Sequence, residues 1–136
     1  MPRTGALISL SREHHSSLVL ARAVRQAAES GDSEVFPAMM KRVEEHWRTV
    51  LSAHFAREEQ WLRLAADAVD AESTGRILAE HLELRRLACG PCELDLPARL
   101  HRFGELLAAH VRYEERVLFP QLQSHPSINS AAAEST

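Results

Sequence analysis

Glycine and proline are scarce in this chain, five and six among 136 residues, whereas glutamate and arginine reach fifteen each. A composition so poor in turn residues and so rich in helix formers excludes an all-β domain. With only two cysteines, no disulfide scaffold can be built. No apolar run approaches the roughly 18 residues of a membrane span. The first residues run directly into Ser11, Arg12, Glu13 and His14, without the apolar core or cleavage site of a secretory signal. The expectation is a cytoplasmic protein with no membrane partner. The sixteen basic residues are scattered and the net charge is −3, which removes the electrostatic footing for nucleic-acid binding. Also absent are a phosphate-binding glycine loop, a dinucleotide fingerprint and a nucleophile motif. What remains is 45% hydrophobic and 26% charged, the mixture of a globular protein, at a length that fits one domain over 1–136. The unusual component is histidine, with eight residues.

The apolar periodicity predicts four helices. Ser9 and Ser11 are cap candidates for a first helix that stops at Ser30-Gly31. After Asp32-Ser33, with Pro37 in the first turn, the pattern Phe36, Met40, Val43, Trp47, Val50, Leu51, His54, Glu58, Trp61, Ala65 keeps one face, a long second helix. A third helix runs from Thr74 through Ile77, Leu78, His81 and Leu84 to Ala88 and stops at Cys89-Gly90-Pro91. Asp95 caps a fourth, with Pro97 in its first turn, running to Pro120 or slightly beyond. Residues 124–136 lack a sustained apolar face and read as a frayed tail. Short connections make successive helices antiparallel neighbours, so the fold class is all-α, an up-down-up-down four-helix bundle.

At 100° per residue the histidines divide into two groups. His54 and His110 lie at the centres of the apolar faces of the second and fourth helices, His81 and His14 on those of the third and first. His15 lies about 100° from His14 and would serve in its place if the first helix were rotated. His46, His101 and His125 fall toward solvent. Glu58 follows His54 by four residues and Glu114 follows His110 by four, so each pair shares a face. One such spacing is expected by chance, and a third, His101 with Glu105, points outward. Two inward carboxylates among Trp, Phe and Leu need a positive partner, since an unpaired buried carboxylate costs several kcal/mol. Arg85, near the core face, is one charge for two carboxylates and gives the imidazoles no shared role. A first-row metal satisfies both groups, and two carboxylates able to bridge point to two ions. By depth His14 and His54 are level; His81 and His110 match less well, and the 89–96 connection would have to absorb the offset.

A histidine on the first helix, His-x3-Glu on the second, a histidine on the third and His-x3-Glu on the fourth resemble the hemerythrin-like, or HHE cation-binding, family over roughly residues 10–122. The most specific stretch is His110-Val111-Arg112-Tyr113-Glu114-Glu115, continuing to Phe119-Pro120, with His54-Phe55-Ala56-Arg57-Glu58-Glu59 as its second-helix counterpart. The resemblance implies a non-haem centre of two iron ions, oxo- or hydroxo-bridged, with manganese or zinc ranking behind iron. It implies His14 or His15 with His54 on one iron, His81 and His110 on the other, and Glu58 and Glu114 bridging. Oxygen-carrying members place another histidine four residues after the third-helix histidine, where this chain has Arg85. One iron would then be a protein ligand short. The implied function is binding of, or response to, a small ligand such as oxygen, nitric oxide or peroxide, rather than simple oxygen transport. The alternatives are a metal-dependent enzyme of iron-sulfur repair, nitric oxide reduction or peroxide removal, and a metal-free helical interaction module.

Three further features read as structural. Cys89-Gly90-Pro91-Cys92 has the letters of a thioredoxin motif but closes a helix, where the dipole opposes a thiolate, so it reads as a helix stop. Tyr113 lies about 60° from the His110 direction and reads as core packing. The pairs Glu44-Glu45 and Glu58-Glu59 each turn at least one carboxylate to solvent.

Overall fold

The computed structural model describes residues 6–123, 125 and 126, and among them every regular element is helical. Helix α1 spans Ala6–Ser30. It is already formed before Ser9 and Ser11, so neither is its cap. Leu7 and Leu10 are fully buried, and tertiary packing extends the helix past the expected start. Gly31 ends it at φ 72°, a left-handed conformation open to glycine at little cost. Asp32 then turns the chain, its side chain accepting the Glu34 amide at 3.0 Å and its carbonyl the Val35 amide at 3.2 Å.

The second rod is not one uninterrupted α-helix. It consists of α2 (Phe36–His46), a π-helical turn (Trp47–Leu51) and α3 (Ser52–Leu64). In the π turn the Ser52 amide bonds to the Trp47 carbonyl, five residues back. Such a turn inserts one residue and resets the phase of the side chains that follow. Leu51, His54, Phe55 and Glu58 are thereby buried, while Val50, on the core face in uniform 100° steps, is half-buried.

The third rod, α4 (Ala71–Cys89), starts one turn earlier than Thr74 because Asp70 caps it, accepting the Ser73 amide at 2.8 Å and hydroxyl at 2.9 Å. It stops at Cys89, as Gly90-Pro91 requires. The fourth comprises α5 (Leu96–Tyr113), capped by Asp95, a second π turn (Glu114–Leu118) and α6 (Phe119–Gln123), with Pro120 in the first turn of α6. Between α4 and α5 the Arg99 guanidinium donates to the carbonyls of Leu87 (2.6 Å), Arg86 (3.2 Å) and Gly90 (2.8 Å). This connection absorbs the expected depth offset: the rings of His81 and His110 lie 5.0 Å apart.

Two apolar clusters fill the interior, one around Val24, Phe36, Leu84, Phe103 and Leu107, the other around Leu7, Trp61, Ile77, Leu118 and Phe119. A layer of buried His and Glu side chains separates them in sequence on every rod. The first and third rods enter the smaller cluster before this layer, the second and fourth after it. At Gly104 α5 comes so close to α1 that an added Cβ would lie 2.9 Å from the Ala21 carbonyl oxygen. No helix among the described residues is long and apolar enough to cross a membrane.

Candidate metal centre

Each rod delivers its core-facing polar side chains to one layer. His14 comes from α1, His54 and Glu58 from α3, His81 from α4, His110 from α5, and Glu114 opens the second π turn; all six are buried. His15 is exposed, so α1 presents His14. The six residues form two groups, His14, His54, Glu58 and Glu114, and His81, His110, Glu58 and Glu114, whose ligand atoms lie within 4.8 Å of one another.

The carboxylates stand between the halves. Glu58 brings Oε2 to 3.0 Å from His54 Nε2 and Oε1 to 3.0 Å from His81 Nε2. Glu114 brings Oε1 to 2.8 Å from His14 Nε2 and Oε2 to 3.2 Å from His110 Nε2. Each thus offers one oxygen to each half. His101, by contrast, stays at the rim with Glu105 at 3.1 Å.

Outside the six lies a second set of carboxylates that the pattern of core-facing residues did not reveal. His14 Nδ1 is 2.6 Å from Glu115, His54 Nδ1 3.1 Å from Glu13, His81 Nδ1 2.8 Å from Glu59, and His110 Nδ1 2.8 Å from Glu80. The four contacts close a ring around the bundle: the first rod supports the second, the second the third, the third the fourth, and the fourth the first. A detectable signal did exist, because Glu13, Glu59, Glu80 and Glu115 each adjoin one of the six in sequence. One residue along a helix is about 100° around it, which turns the side chain toward the neighbouring rod. Glu59, read as a solvated companion of Glu58, is therefore part of the site.

This ring sets the imidazole chemistry. An Nδ1–H donated to a carboxylate leaves the Nε2 lone pair aimed at the centre. His14 Nε2 and His54 Nε2 face each other at 3.1 Å. His110 Nε2 and Glu114 Oε2 are buried and, though 3.2 Å apart, are not aligned for a hydrogen bond with each other or any other group. Converging lone pairs and carboxylate oxygens are what a cation satisfies, and imidazole with carboxylate suits a first-row divalent or trivalent ion.

Without metal the same field draws protons onto the imidazoles. Burial disfavours the cation, but hydrogen bonds to Glu114, Glu115 and Glu58 overcome it and hold His14 at about 11. By the same opposition, burial against Glu114 and Glu58, His81 reaches about 9; burial against Glu114 and Glu80 brings His110 to about 10. Burial and the adjacent Glu114 push Glu58 up, and His54 and His14 outweigh them, leaving its carboxyl below the ordinary range. Burial also raises Glu114, while His110, His14 and His81 hold it well below.

The family model for the hemerythrin HHE cation binding domain matches residues 7–122. The chain belongs to the hemerythrin HHE cation-binding family. No curated protein and no solved structure matches it. As a member of that family it has a metal-binding type of domain, with two His/Glu groups able to hold a cation.

Three side chains depart from expectation. Arg85 is exposed, not near the core, because the buried stripe of α4 follows Ile77, His81, Leu84 and Ala88 and drifts away from position 85. His46 is half-buried, its Nε2 2.9 Å from the Ser17 hydroxyl, and burial pushes its imidazole down. His125 turns back onto Asp67 at 2.9 Å with its side chain 12% exposed; the rest of the expected tail, apart from Pro126, lies outside the described residues. Tyr113 packs at the smaller cluster and donates to Ser73 Oγ at 2.9 Å, under the Arg76 guanidinium.

Proposed function

We propose that this HHE-family protein is a di-iron protein that binds a small ligand such as oxygen, nitric oxide or peroxide, within an up-down-up-down antiparallel bundle. The observation that carries the di-metal reading is the placement of Glu58 and Glu114, each with one oxygen toward His14/His54 and the other toward His81/His110. A single ion would leave one pair of imidazoles without purpose. The alternating order in which the rods meet the two apolar clusters supports the bundle topology.

The chain's own residues prepare the site. Glu13, Glu59, Glu80 and Glu115 hold the imidazoles in the tautomer that presents Nε2 inward, and the apolar clusters exclude bulk water from both ends of the layer. When bound, iron supplies a Lewis acid and a one-electron couple. Phe55 stacks on His81 at 3.9 Å between ring centroids, and both line a cavity of about 350 Å³ with Trp47, Ser52, Ala56 and Glu59. This cavity gives a small molecule a route to the His81/His110 half.

The test is metal analysis and spectroscopy of protein purified in air. Two irons per chain and a visible band perturbed by azide or nitric oxide are expected. One ion per chain overturns the di-iron reading, and an unresponsive band overturns ligand binding. Sustained turnover of peroxide or nitric oxide would make the protein an enzyme instead.

A further inference from the structure

Away from the metal layer, Cys89 and Cys92 are free thiols at the end of α4, Cys89 exposed and Cys92 half-buried against the larger apolar cluster. The negative end of the α4 dipole disfavours a thiolate at this position. Arg99 offsets it in part, since it donates to the carbonyls of Leu87, Arg86 and Gly90 and places a guanidinium where the dipole is negative, while the Cys89 Sγ–H donates to the Arg85 carbonyl at 3.3 Å. Three cavities, of about 350, 520 and 350 Å³, meet at Cys89. Their walls carry Arg48, Arg85, Arg86 and Arg99 against Glu44 and Glu59. Arg48 and Arg85 make no ion pair among the described residues, so their charge is available to a ligand. Arg86, whose guanidinium holds Glu83 at 2.7 Å, shares a cavity wall with Cys89.

We propose that Cys89 and Cys92 form a thiol–disulfide exchange site that takes small anionic disulfides from these arginine-lined cavities. The exposed Cys89, as thiolate, attacks one sulfur of the bound disulfide. A Cys89–sulfur bond forms, the ligand S–S bond breaks and one ligand thiolate leaves. Cys92, as thiolate, then attacks the Cys89 sulfur, closing the Cys89–Cys92 bond and releasing the second ligand thiolate. Two electrons pass from the dithiol to the disulfide. The two protons lost by the cysteines reach the departing thiolates through solvent.

The site is independent of the metal reading, so the experiment is run on metal-free and metal-loaded full-length protein. The reduced chain is mixed with oxidised glutathione, an anionic disulfide, or with cystamine, a cationic one, and followed by intact mass and free-thiol count. The proposal expects loss of two thiols and two hydrogen atoms without a retained adduct, about tenfold faster with the anionic probe. Cys92→Ser should stop at one glutathione adduct on Cys89. The double variant Arg48→Ala/Arg85→Ala should slow the anionic probe several-fold and spare the cationic one. Accumulation of a mixed disulfide in the wild type, without closure, overturns the exchange. Equal rates for the two probes, unmoved by the arginine changes, overturn the ligand class.

Discussion

The two halves of the metal layer have the same donor set but different surroundings. Around His14 and His54 the ring nitrogens all have close partners, and Phe119 stacks on His14 with centroids 5.0 Å apart. Around His81 and His110, by contrast, His110 Nε2 and Glu114 Oε2 lie 3.2 Å apart without hydrogen-bond alignment, and a cavity reaches the edge of His81. Equal donors give both halves the means to hold an ion. Among the described residues a cavity lined by His81 meets the second half, so binding and access are separable properties here.

The largest expected effect comes from removing what the halves share. Glu114→Ala should abolish stoichiometric metal binding at both halves, and Glu58→Ala should do the same, whereas His14→Ala should lose chiefly one ion. Metal content per folded chain distinguishes these outcomes. Equal losses in Glu114→Ala and His14→Ala would mean that the carboxylates do not bridge.

The supporting carboxylates should sharpen the comparison by half. Glu80→Gln and Glu59→Gln replace the charged acceptors of His110 and His81 with neutral ones, and each should weaken metal at the second half by about 10- to 100-fold. Glu13→Gln should do so at the first half. Competition with a chromophoric chelator resolves the two affinities. If all three variants weaken both ions equally, the ring acts on the bundle as a whole rather than on each imidazole.

How far such residues can be read from sequence depends on which face they occupy. His14, His54, His81, His110, Glu58 and Glu114 were legible because polar groups at the centre of an apolar stripe are costly and therefore conspicuous. Glu13, Glu59, Glu80 and Glu115 lie at stripe edges, where a carboxylate costs nothing and looks like any solvated side chain. The π turns were hidden for another reason. They are slips in backbone pairing, and the sequence marks them only by a lag in the stripe too small to see beside ordinary variation. His46 and Arg85 lie at stripe edges, where a single-helix wheel does not decide burial: the neighbouring rod covers His46 through Ser17, and among the described residues nothing covers Arg85. Asp95, Gly31 and the Cys89 stop were legible since each is a local backbone requirement met by one residue type.

Protonation offers a test of smaller size. An imidazole raised above its ordinary value near 6.5 contributes stability that is complete below that pH and is lost as pH climbs through the raised value. For His81, His110 and His14 those values are about 9, 10 and 11. The lowered carboxyls of Glu58 and Glu114 act oppositely, contributing above their ordinary 4.5 and losing it as pH falls. Metal-free protein should therefore be most stable between about pH 4.5 and 6.5 and lose Tm above it. Metal must displace the protons it replaces, so its stabilising increment should grow over the same rise in pH. Parallel Tm–pH profiles for the two forms would show that metal and protons do not compete for these nitrogens.

The smallest effect should come from Arg85. In the family resemblance this position stands where an additional ligand histidine would be, which predicts that Arg85→His adds a nitrogen to the second ion. The fold argues otherwise, since Arg85 is exposed on the cavity rim while Leu84 and Ala88 occupy the buried face of the following turn. On the same stripe, one turn before His81, stands Ile77, fully buried. Arg85→His should leave metal content and the visible spectrum unchanged, with a stability change within about 0.5 kcal/mol. Ile77→His should alter the spectrum of the second half and blunt its response to azide. If Arg85→His does so instead, α4 must rotate when metal binds, and the unequal enclosure of the two halves would belong to the metal-free state alone.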